Sequence, residues 1–147
     1  MNKNLKAKKK KIIGRLKNTF CTLKISKIHG IGVFAIRNIP KYINPFAGEQ
    51  NQNWYELTRA DYRKLDREII KMMGDFFVIE KNGNILVPEF GLNSMNVSNR
   101  LNHSSKPNIK RKSNGDFITL RNIKKGEELL VDYGTFDWKF KNKVFIN

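Results

Sequence analysis

Three short segments hold the side chains whose types and spacing suit chemistry. The first is HGIGVFA, with Gly30 and Gly32 two positions apart. Such a pair lets backbone approach a ligand closely and adopt positive φ. It is not a dinucleotide fingerprint, because the third glycine is absent and a strand pattern follows. The second is NRLNHSSKPN, residues 99 to 108, where Asn102, His103, Ser104, Ser105 and Asn108 crowd around Pro107. Short polar side chains of this kind bond nearby backbone, so a polar turn alone would account for them. The third runs from Gly126 to Trp138 and carries Glu127, Glu128, Asp132 and Asp137 with no base. In a chain of net charge +16 this is a local acidic patch around Tyr133, and it would draw a cationic substrate. The plainer reading is a surface turn and a buried strand ending at Gly134, with Tyr133 a core residue.

The elements that must position these segments are short. Leu23 and Ile25 share one face of a first strand, a glycine turn follows, and Val33 to Ile36 make a second. Pro40, Pro45 and Gly48 punctuate the next stretch. Residues 53–73 place Leu57, Tyr62, Leu65, Ile69, Met72 and Met73 at helical spacing, with Thr58 as a cap for the second half and Gly74 as the stop. DFFVIEKNGNILVPE reads as a hairpin with Asn82-Gly83 in a type I′ turn. GDFITLRNI is another strand, and KKGEELLVDYG a turn leading into one. The expected class is mostly β within α+β, short strands with one or two helices. At 147 residues the chain suits a single domain.

Composition excludes several roles. No run of 18 apolar residues is present, so no membrane span is expected. The N-terminus has no secretory signal pattern, and the expected setting is intracellular, nuclear included, and not secreted. The lone Cys21 rules out an internal disulfide. One Cys with His29 and His103 makes a structural zinc site unexpected, and no metal is assigned. Residues 1–20 hold eight Lys or Arg and no acid, including KAKKKK from Lys6 to Lys11. They read as a mobile basic arm, suited to phosphate backbones or nuclear import.

Taken in order, the three segments resemble the SET domain of protein lysine methyltransferases: G-x-G-V-F-A, then N-H-S-x-x-P-N, then G-E-E-L-x-x-D-Y-G. The resemblance spans residues 22 to about 138. In its lack of zinc-binding flanks the chain is similar to small stand-alone SET proteins of large viruses and some microbes. The implied organisation is a basic arm over 1–20, a SET domain over 21–140 with a knot-like C-terminal crossing, and a tail over 141–147.

The resemblance also implies roles. Backbone around Gly30, Ile31 and Gly32 would hold the amino-acid end of S-adenosylmethionine. Asn102 and His103 would hold its amino group and adenine, Trp138 would cover the adenine, and Arg100 would also lie on the cofactor side. Tyr133 would be the active-site tyrosine, with Phe76 and Val131 in the substrate channel. Ser105 stands where many members have cysteine, Ile31 where an aromatic is frequent, Phe76 at a position often tyrosine, and Val131 at one usually aromatic. The implied activity is methyl transfer to a lysine amine of a protein, a histone tail among the candidates, by a monomer or homodimer. Two alternatives stay open: a SET-like binding module without catalysis, and a basic nucleic-acid-binding protein.

Overall fold

Apolar alternation builds the central sheet. Strand β1 (Cys21–Ile25) pairs antiparallel with β2 (Ile31–Ala35), in register from Cys21 opposite Ala35 to Ile25 opposite Ile31. On the other side of β2 lies β8 (Glu128–Val131), and beyond it the two-residue β5 (Asn102–His103), so the order is β1-β2-β8-β5. Alternate residues of a strand face one way, and the alternation is visible here: Val33 and Ala35 of β2, and Leu129 and Val131 of β8, are buried in one core with Ile39, Leu101, Ile109 and Ile123. The computed structural model describes residues 3–47 and 52–142, so Gly48 lies outside the described residues. Two further two-stranded sheets pair β3 (Trp54–Leu57) with β4 (Ile85–Pro88), and β6 (Ile109–Arg111) with β7 (Phe117–Thr119).

Several local expectations are revised. Leu23 and Ile25 share a face with Cys21, but only Cys21 reaches the core; Leu23 is 44% and Ile25 88% exposed as the edge strand runs out past it. The stretch expected as one helix over 53–73 opens instead with β3, whose aromatic residues favour the pleated surface and pair with β4. Thr58 then caps a short helix α2 (Arg59–Tyr62) in a capping box with Asp61. Asp66 starts a separate helix, α3 (Arg67–Phe76), by accepting from the Glu68 N–H. Gly74 does not stop the helix; it is buried within α3.

The turn at Asn82-Gly83 is not type I′, because Gly83 has φ 83° while Asn82 is not among the residues of positive φ. Gly83 N–H donates to Glu80 O and Glu80 N–H to Asn84 O, each at 2.9 Å. This is a three-residue loop closed by a left-handed glycine.

Residues 3–17, expected as a mobile arm, form α1 (Lys3–Lys17), a helix with no buried residue. A last short helix, α4 (Trp138–Asn142), follows the sheet. Among the described residues no helix is long and apolar enough to cross a membrane.

Candidate active site

The crowded polar segment at 102–108 is a strand partner held from both ends. Asn102 and His103 run parallel to Leu130 and Val131. Ser104 N–H donates to Val131 O at 3.0 Å, and Asn108 N–H to Leu130 O at 3.1 Å. Asn108 is only 3% exposed. Its Nδ2 donates to Glu128 O at 2.7 Å and its Oδ1 accepts from Leu130 N–H at 2.8 Å, so a side chain completes the ladder of β8. The loop between them closes through Lys106 N–H to Ser104 Oγ.

This pairing sets Asn102 against the glycine turn. Asn102 Nδ2 donates to His29 O at 3.0 Å and to Glu128 Oε1 at 2.9 Å, with Ile31 O at 3.5 Å. Glu128 Oε2 accepts from Ser26 Oγ, which in turn accepts from the N–H groups of Ile28 and His29. Gly30 takes φ 48°, the left-handed region that glycine tolerates. Gly32 has a different reason to be glycine: a Cβ there would lie 2.1 Å from Glu128 Oε1 and 3.1 Å from Asn102 Nδ2.

Tyr133 begins a 3-10 turn capped by Asp132, whose Oδ1 accepts from Gly134 N–H. Its own N–H donates to His103 Nδ1 at 3.2 Å. Asp132 Oδ1 lies 3.7 Å from the same nitrogen. The Tyr133 hydroxyl donates to Leu101 O. Burial, and then the nearby Asp137, push the phenol above its ordinary value, so it keeps its proton at neutral pH.

Tyr133, Phe76 and Val131 line one cleft of about 590 Å³. The charged residues on its wall are Asp75, Glu80, Asp116, Asp137 and the half-buried Arg111. The acidic character expected around Tyr133 is therefore present but differently built. Of the four acids between Gly126 and Trp138, only Asp137 reaches the cleft. Glu127 pairs with Arg121 at 2.7 Å, Glu128 turns to Asn102 and Ser26, and Asp132 caps its own turn.

The remaining candidates fall into place unevenly. Gly30, Ile31, Gly32 and Asn102 come together at the glycine turn, and His103 joins them to Tyr133 by accepting its N–H. Arg100, expected on the cofactor side, stacks its guanidinium over the Phe76 ring at 4.4 Å. Trp138 starts α4, but the α4 ring over His103 is Phe140, with centroids 4.3 Å apart, and Phe140 also meets Tyr133 edge-on at 5.3 Å. Lys139 anchors that helix by donating to Gly74 O at 2.6 Å. Phe140, Glu128 and Asn108 were not singled out as site residues from sequence. The acidic count had touched Glu128 and the turn chemistry Asn108, while nothing in WKFKN marks Phe140 above Trp138.

The SET domain family model matches residues 30–134. This chain belongs to the SET domain family. The match contains the glycine turn, the Asn-His segment and Tyr133. No curated protein matches the chain.

Among solved structures, a Plasmodium falciparum protein provisionally named a histone methyltransferase superposes with TM-score 0.51 at 22% identity, over 82% of this chain and 98% of that one. Polycomb repressive complex 2 of Chaetomium thermophilum, in an autoinhibited conformation bound to S-adenosylmethionine, gives 0.54 at 25% identity, over 86% of this chain. A humanised mutant of the same complex, bound to the inhibitor GSK126, gives 0.54 at 22% over 83%. This chain spans 16% of each of those two longer chains. At 22% identity the likeness is one of fold, small sheets with few helices.

Proposed function

We propose that this SET domain transfers a methyl group from S-adenosylmethionine to the side-chain amine of a lysine in a protein substrate. The observation that carries the reading is the position of Tyr133. Its N–H and hydroxyl are both bonded to the 101–103 segment, while the residue lines the cleft with Phe76 and Val131. It thus joins the wall where a lysine would enter to the segment where the cofactor would lie.

The residues fit such a cofactor. A left-handed Gly30 and the fixed Asn102 amide present backbone and side-chain groups beside one another, and His103 with Phe140 offers an aromatic surface. The cofactor, when bound, supplies an activated methyl on a cationic sulfur. The chain supplies position: a displacement of this kind needs donor and acceptor about 3 Å apart on one axis. Lysine arrives protonated, with a pKa of about 10.4. Asp137 and the other cleft acids attract it, and the apolar walls at Phe76, Val131 and Leu101 favour loss of the proton before attack. Because the Tyr133 hydroxyl proton is directed at Leu101 O, its oxygen lone pairs are what the tyrosine offers the amine.

An excess of acids on the cleft suits a basic segment such as a histone tail, despite the net charge of +16. The test is incubation with isotopically labelled S-adenosylmethionine and a panel of histones and lysate proteins, followed by mass spectrometry. Label on lysine is expected; cofactor binding with no labelled lysine would favour a binding module instead.

The exposed helix α1, with eight cations and no acid, supports a separate contact with nucleic acid, which would bring the enzyme to its substrate.

A further inference from the structure

We propose that Glu128 is the counter-charge for the α-ammonium group of the cofactor and the positioning residue that fixes Asn102 toward it. The inference rests on the reading that S-adenosylmethionine binds at the glycine turn.

The amide orientation comes first. The Asn102 nitrogen lies against three acceptors, Glu128 Oε1 at 2.9 Å, His29 O at 3.0 Å and Ile31 O at 3.5 Å. Flipping the amide would place its oxygen against a carbonyl and a carboxylate, an arrangement with no proton to share. The two amide protons are therefore directed inward, and Oδ1 is what Asn102 presents to a ligand. An ammonium group is a pure donor and suits that oxygen. Without Glu128 the shortest of these anchors disappears.

The charge comes second. Glu128 is half-buried, and its two oxygens accept from Ser26 Oγ and Asn102 Nδ2, both neutral donors. A carboxylate has roughly four acceptor sites, so capacity remains. Among the described residues no Lys, Arg or His lies within ion-pair distance of it, in a chain with 29 Lys and Arg. A partly desolvated carboxylate without a cationic partner favours a cation that binds beside it.

The glycine comes third. The carboxylate fills the space that a side chain at residue 32 would need, coming within 2.1 Å of a Cβ there. The missing side chain at Gly32 thus admits a negative charge next to the backbone turn.

The experiment compares two thioether nucleosides with an uncharged sulfur, S-adenosylhomocysteine, which carries the α-ammonium, and 5′-methylthioadenosine, which lacks the amino-acid end, by calorimetry on the full chain. Glu128→Gln should weaken S-adenosylhomocysteine about tenfold or more, roughly 1.4 kcal/mol. It should leave methylthioadenosine within about twofold. Gly32→Ala is a second variant that displaces the same carboxylate from the strand side. Since the atoms it meets belong to the ends of the Glu128 and Asn102 side chains and not to backbone, the fold should survive, and the same selective loss is expected.

Equal losses for both ligands would show that Glu128 only staples the hairpin, and would overturn the proposal. Unchanged S-adenosylhomocysteine affinity in either folded variant would also overturn it, while leaving the methyltransferase reading in place. A wild-type chain that binds neither nucleoside would remove both.

Discussion

Asn108 Oδ1 accepts the backbone N–H of Leu130 at 2.8 Å, while its Nδ2 donates to the Glu128 carbonyl. A buried side chain thus does the work of a neighbouring strand, and β8, which carries Glu128 and leads to Tyr133, is held straight by it. Asn108→Ala would leave two strand groups without partners. Each such group costs about 1–3 kcal/mol when buried. The expected result is a fall of several kcal/mol in unfolding free energy by denaturant titration, larger than for Asn114→Ala, whose bonds to Asp116 are exposed. Equal stabilities of the two variants would contradict the role.

Asp137 sets a pH dependence. Burial raises its carboxyl above the ordinary range, against the lowering effect of the Phe140 N–H and of Lys139. The folded protein therefore holds this proton more tightly than the unfolded chain. Its stabilising contribution is complete below the ordinary carboxylate pKa and is lost as pH rises through the raised value. Asp137→Asn keeps an oxygen for the Phe140 N–H and removes the titration. Its Tm should exceed wild type at neutral pH and converge with it near pH 3, below the usual carboxylate pKa of about 3.9. A Tm difference that stays constant across that range would refute this. If Asp137 also attracts the incoming lysine, the same variant raises KM for a peptide substrate.

The basic helix gives a third expectation. Removing residues 1–16 should weaken DNA binding and flatten its salt dependence, because each phosphate contact contributes about 0.9 to the slope of log K against log salt. Cofactor affinity should not change. A truncated chain with the full-length slope would assign DNA contact elsewhere or nowhere.

Where local pattern decides structure, the sequence was legible. The run from Val33 to Ile36 and the segment KKGEELLVDYG mark the two central strands, and Thr58 marks a helix start. The glycine turn, the Asn-His segment and Tyr133 were all visible as motifs. What failed depended on distant partners. The helical spacing from Leu57 to Met73 was extended back over Trp54 and Tyr55, and their pairing with Pro88 and Val87 makes them a strand instead.

The acidic patch around Tyr133 was misjudged for a related reason. Counting charges along the chain ignores the direction each side chain takes, and Glu128 has an internal task 26 positions back at Asn102. The cleft acids Asp75, Glu80 and Asp116 come instead from α3, the glycine-closed loop and the turn before β7. Asn108 read as a turn residue because its partners on β8 lie about twenty positions ahead. Phe140 had no signal at all; its place over His103 follows from the anchoring of α4 by Lys139 on Gly74.

The most direct measurement is the turnover of Tyr133→Phe at saturating S-adenosylmethionine and peptide. The ring contacts with His103, Phe136 and Phe140 remain, while the hydroxyl oxygen that would orient the amine is gone. Losing its bond to Leu101 O should cost about 1 kcal/mol of stability. Turnover per folded molecule should fall at least about tenfold, 1.4 kcal/mol or more of transition-state stabilisation, with cofactor affinity little changed. A folded, cofactor-binding Tyr133→Phe protein that methylates lysine at the wild-type rate would contradict the placement of Tyr133 at the transfer point.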